Sequence, residues 1–127
     1  AMWHEINETI TKDHVMKIYT GKKESYQRMI GFFNIHHKLR KKKGIKEQMI
    51  FPKEDQKLAK KRQDSITEVK TMRLNNKAEF GVWNDLVEFH HYPVKKAPRG
   101  FLIKDKEFAA MFEQIFDQLF DKAQHLV

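Results

Sequence analysis

Apolar side chains recur along most of this chain three and four residues apart, the spacing that gathers them on one side of an α-helix. Over residues 12–20, Val15, Ile18 and Tyr19 share a face, with Thr11 placed to cap the free amides and Gly21 to end the helix. A second helix is predicted over 22–43. Its apolar arc of Tyr26, Met29, Ile30, Phe32, Phe33, Ile35 and Leu39 covers more than half the circumference, and Gly44 stops it. Ile45, Met49, Ile50 and Phe51 then form a short apolar connection that Pro52 terminates. A third helix is predicted over 54–74, with Leu58, Ile66, Val69 and Met72 inward and Lys57, Lys60 and Lys61 outward. After a break at Asn75-Asn76, a fourth over 77–91 turns Val82, Trp83, Leu86 and Val87 inward and stops at Pro93.

Residues 92–104 hold the other two prolines and Gly100 and read as one extended loop, in which only 99–103 has strand character. The last helix opens after Asp105 as its cap. Phe108, Phe112, Ile115, Leu119 and Leu126 make its apolar stripe, widened by Phe116, Phe120 and Ala123, and Glu107, Glu113, Asp117 and Asp121 form its back. The expected fold is therefore all-α: four to five helices in a compact bundle-like or orthogonal arrangement, with one extended loop near 92–104.

Composition supports that expectation. Five Gly and three Pro are few for a fold of short strands, which needs turn residues at regular intervals. At 127 residues the chain reads as a single domain over 1–127, with Ala1 before Met2 set aside as a cloning remnant. The absence of cysteine removes disulfide scaffolds, thiolate metal sites and Cys nucleophiles, and fits a reducing compartment. No apolar run approaches the roughly 20 residues of a membrane span, and the opening Ala1-Met2-Trp3-His4-Glu5 is unlike a signal peptide. The expectation is a cytoplasmic protein with no membrane partner.

Charge changes the picture more. The chain carries a net +8, and residues 22–63 alone carry +10, so the whole positive excess sits in one third of the sequence. Lys38, Arg40, Lys41, Lys42, Lys43 and Lys46 form its densest stretch. Lys38, Lys41 and Lys42 stand at i, i+3 and i+4 and project from one helical strip, able to follow a phosphate backbone and release a condensed counterion at nearly every contact. Lys95, Lys96 and Arg99 offer a second anchor. Lysine supplies point charges rather than bidentate base recognition, so such binding is electrostatic and weakly sequence-selective, with DNA and RNA both open as partners. Basic residues also collect at helix C-termini because the dipole favours them there.

The seven histidines include two adjacent pairs, His36-His37 and His90-His91. On helical wheels His37 and His90 point inward, as does Glu79, which makes His37, Glu79 and His90 the candidates for a metal inside a bundle. The set is incomplete: only Glu88 and His91 have the Glu-x-x-His spacing of a di-iron site, and no His-x-x-x-His occurs, so no metal and no cofactor is expected. Ala78–Trp83 resembles the Cys-x-x-Gly-x-Trp core of chemoreceptor zinc-binding domains, yet Ala78 stands at the ligand position. The Arg-x(4–6)-His motif of the higher-eukaryote and prokaryote nucleotide-binding nucleases is missed as well, since seven residues separate Arg28 from His36. Phosphate-cradling glycine loops and serine-nucleophile elbows are absent, so no catalytic residue is assigned and the balance leans against an enzyme.

The leading expectation is a small, non-enzymatic nucleic-acid-binding domain. Its alternatives are a regulatory or sensory helical module that binds a protein partner, a second copy or a small ligand, and a metal-binding helical sensor.

Overall fold

A computed structural model describes residues 14–21, 30–91, 93 and 95–127. It overturns the all-α expectation. Among the described residues, seven strands and three α-helices form a mixed α/β fold: β1 (Met16–Tyr19), α1 (Ile30–Lys43), β2 (Glu47–Pro52), a 3-10 turn (Lys53–Asp55), α2 (Gln56–Arg62), β3 (Thr67–Met72), β4 (Ala78–Trp83), β5 (Leu86–His91), β6 (Arg99–Lys104), α3 (Lys106–Lys122) and β7 (Gln124–His125). The strands make one sheet in the order β6-β5-β4-β1-β2-β3-β7. β1, β2 and β3 run parallel, while β4, β5 and β6 form an antiparallel meander on the free side of β1.

Strand alternation sorts the side chains onto two buried faces. Met16, Ile18, Met49, Phe51, Val69, Trp83 and Leu86 lie on one, where Leu39 of α1 and Leu58 and Ala59 of α2 pack on them. Tyr19, Ile50, Met72, Phe80, Val82, Val87 and Phe89 lie on the other, beneath Ala109, Phe112, Phe116 and Phe120 of α3. Phe112 meets Phe80 and Phe89 edge-on with ring centroids 5.3 Å apart, a geometry that adds to simple burial. Lys17 of β1 clamps the outer side of α3 through Asp117 (2.8 Å) and Glu113 (3.5 Å).

A sheet covered on both faces explains the misreading. Its central strands present apolar groups to both sides, so β2 reads Met-Ile-Phe without alternation and is indistinguishable by period from a buried helix. Of the segment at 12–20, Met16–Tyr19 form β1, while Thr11 and residues 12–13 lie outside the described residues; the apolar connection at 45–52 holds β2, the third helix shortens to α2 followed by β3, and the fourth is the β4–β5 hairpin. Asn84, at φ 51°, makes that hairpin's tight turn with Asp85. The extended loop near 92–104 ends in a regular strand, β6, over Arg99–Lys104. Residues 22–29 of the second helix lie outside the described residues.

Two termini behave as the sequence indicates. Gly44 (φ 71°) ends α1 in a Schellman turn: Ile45 N–H donates to the Arg40 carbonyl (3.0 Å) and Gly44 N–H to that of Lys41 (3.4 Å). Asp105 caps α3, accepting from the N–H groups of Glu107 and Phe108 at 2.9 and 3.0 Å. The stripe of α3 is rotated from its expected centre, with Ala109, Phe116 and Phe120 buried and Phe108 and Ile115 left partly exposed.

Candidate functional site

Both crossover helices cover the same sheet face, so their outer sides make one surface. Lys38, Lys41, Lys42 and Lys43 of α1, Lys46 beyond it, and Lys57, Lys60 and Lys61 of α2 are all exposed there. The two helices run in the same sense, each from the finishing edge of the parallel strands back to their starting edge, so the C-terminal lysines of both meet at that edge. Among the described residues none of these eight lysines is held in an ion pair. Asp64, two residues beyond the end of α2, is turned instead to His37, with Nε2–Oδ2 at 3.0 Å. On the opposite side of the sheet, α3 shows Glu107, Asp117 and Asp121 to solvent together with Lys106 and Lys122, and Asp117 is paired with Lys17. The sheet thus separates a basic helical layer from one of mixed charge.

Arg40 does not belong to that surface. It is 0% exposed, and its guanidinium donates to the Ile45 carbonyl (3.2 Å) and Thr67 Oγ1 (2.8 Å), contacts His37 Nδ1 (2.9 Å) and faces Glu47 Oε1 at 3.5 Å. Position 40 of the helix points at the sheet, so this residue anchors the basic layer from below and is out of reach of a phosphate. Lys95, Lys96 and Arg99 are exposed but stand at the other end of the strands, where β5 finishes, with Arg99 beside His91 Nδ1 at 3.1 Å. The structure therefore brings Lys38, Lys41, Lys42, Lys43 and Lys46 together with the α2 lysines and leaves the second anchor apart.

Beneath the layer lies a buried polar cluster. Glu47 opens β2 and faces His36 (3.7 Å), Arg40 (3.5 Å) and Arg62 (3.8 Å). Burial alone pushes its carboxyl up, but the hydrogen bond from His36 and the charges of Arg40 and Arg62 outweigh it and hold Glu47 below the ordinary glutamate range. Glu79 and His90 are direct cross-strand partners, and Glu88 shares their face two residues from His90. Gly81 gives Glu88 its place, because a Cβ there would land on the Glu88 carboxyl. Burial raises Glu79 to about 7, opposed only in part by the Gly21 N–H that donates to Oε1 at 3.1 Å. Burial also pushes Glu88 well up, reinforced by Glu79 and Glu47, and lowers His90 to about 3. Glu88 Oε2 and His90 Nε2 touch.

These groups surround a cavity of about 30 Å³, lined also by Met16, Ile18, Thr20 and Met49, which has room for one water. Of the three metal candidates, Glu79 and His90 meet across β4 and β5, while His37 stands apart on α1 against Asp64 and Arg40. Among the described residues no group of three or more His, Asp or Glu is placed to hold a metal ion. Glu47 and Arg62 carry no signal in the sequence, and Glu88 and His36 stand out there only in a Glu-x-x-His spacing and an adjacent His pair, not as members of this cluster. A period of two would have found Glu88, because Leu86, Glu88 and His90 alternate onto one face.

Among the described residues no helix is long and apolar enough to cross a membrane. Compared with protein-family models, with curated proteins and with solved structures, the chain matches none.

Proposed function

We propose that this domain binds nucleic acid through phosphate contacts made by the lysines of α1 and α2, without catalysing a reaction. The observation that carries this reading is the uneven charge across the sheet, with eight exposed lysines on one side and a mixed α3 surface on the other. A one-signed surface of that kind attracts polyanions and orients them before contact. Glu79 and Glu88, the buried carboxyls held protonated, stand around a cavity of about 30 Å³, too small for a substrate. The reading belongs in the cytoplasm, in keeping with a cysteine-free chain. Lys41→Glu/Lys42→Glu is expected to abolish binding to a labelled oligonucleotide, followed by fluorescence anisotropy at two salt concentrations, while the helical circular dichroism is unchanged. Binding that survives the double reversal, or that ignores salt, removes the reading.

A second reading, a regulatory module that docks another protein, is favoured by one observation. Phe101 of the edge strand β6 is 64% exposed and Phe108 in the first turn of α3 is 50% exposed, both on the α3 side of the sheet. Met111 and Ile115 continue this apolar patch along the helix. If a second copy docks there, the mass from light scattering rises with concentration toward that of two chains, and Phe101→Ser/Phe108→Ser holds it at one. A single-chain mass at every concentration eliminates self-association.

A further inference from the structure

The two crossover helices carry the same lysine triad. Lys38, Lys41 and Lys42 on α1 and Lys57, Lys60 and Lys61 on α2 both stand at i, i+3 and i+4, and all six are exposed. We infer that these two rows take double-stranded nucleic acid, one row to each phosphate backbone, with no reading of base sequence. The inference rests on the nucleic-acid-binding function proposed above and names the form of nucleic acid it requires.

Two features of the layer support this. α1 and α2 cross over neighbouring strands on one sheet face, so their lysines form two separate lines of charge, as the two phosphate backbones of a duplex do. A single strand offers one line of phosphates and has no use for a second row. Each triad spans about 6 Å of helix, enough to follow successive phosphates along one strand.

Next, the guanidinium groups of this layer are spent inside. Arg40 is committed to Thr67, the Ile45 carbonyl and Glu47, and Arg62 is buried against Glu47. Only ammonium groups are left outside, and these neutralise phosphates without the fork geometry that recognises guanine.

The test is a salt titration of the intact chain by fluorescence anisotropy, using a duplex DNA of about two turns, each of its single strands, a scrambled duplex, a duplex RNA and heparin. The duplex is expected to bind at least about tenfold tighter than either strand, a 1.4 kcal/mol preference, and the scrambled duplex equally well. Lys57→Gln/Lys60→Gln/Lys61→Gln and the matching triple on α1 are each expected to lower the slope of log affinity against log salt by about 3. These lysines are exposed, so both variants keep the parent melting curve. The duplex RNA assigns the helical form the rows prefer. Single strands binding as tightly as duplex, or loss of the α2 triad leaving duplex affinity unchanged, overturns the two-row duplex inference while the broader function stands. Failure to bind any of the polyanions at low salt overturns both.

Discussion

Raising the pH from 5 to 8 is expected to destabilise this protein, and Glu79→Gln to make it more stable than the parent at pH 8 by about 3 kcal/mol. The folded chain holds the Glu79 proton up to about pH 7, whereas an ordinary glutamate releases it near 4.5. Between those values the folded state binds the extra proton, so the contribution is complete below about 4.5 and is lost as the pH climbs to 7. Glu88, raised by burial and by its acidic neighbours, acts with the same sign.

His90 opposes them. Its folded value near 3 against an ordinary 6.5 makes stability rise over that interval, offsetting one of the two carboxyl losses until about pH 6.5. Glu47, held low by His36, Arg40 and Arg62, loses its contribution only in acid. The optimum therefore lies in weak acid, with the steepest decline above 6.5. Glutamine reproduces the protonated side chain and still accepts from Gly21, so the variant should match the parent at pH 5 and diverge from it at pH 8. Urea unfolding at several pH values measures this directly. A parent stability that is flat from pH 5 to 8 would contradict the burial of these carboxyls.

The second large effect concerns Arg40, whose neighbours in sequence are exposed lysines. Arg40→Ala is expected to lose about 3–5 kcal/mol, because it leaves Glu47 a buried charge short of its closest guanidinium and frees the Thr67 hydroxyl and the Ile45 carbonyl of their donor. Lys41→Ala, one residue on, should change stability by less than about 0.5 kcal/mol. Adding Glu47→Gln to Arg40→Ala should recover a large share of the loss, since the neutral amide needs no counter-charge. Equilibrium urea denaturation of the four proteins separates the two roles. An Arg40→Ala variant as stable as the parent would show the guanidinium to be dispensable and return it to the surface as a binding residue.

The contrast between positions 40 and 41 illustrates where sequence information ends. Composition and charge clustering located the basic third of the chain, and the local chemistry of Gly44 and Asp105 located two helix ends, because a left-handed glycine and a capping carboxylate act within a few residues of themselves. The amphipathic α3 was legible for the same reason: its burial has a single side. The strands were not, since Met49 and Phe51 are buried under α2 on one face and Ile50 under the distant α3 on the other, and two-sided burial erases the period of two.

The candidate site divides along the same line. The lysines of α1 were visible as a cluster, but their meeting with Lys57, Lys60 and Lys61 depends on both crossovers lying over one face of the sheet. Glu79 and His90 were picked out as inward-facing, for a helical reason that does not hold; they meet because β4 and β5 pair in that register. By itself, then, the sequence determined what is local to the chain: charge content, helix termini and the one-sided helix α3. Tertiary structure alone decided which cations face solvent and which carboxyls stay protonated, because desolvation and pairing are set by neighbours that only the folded sheet supplies.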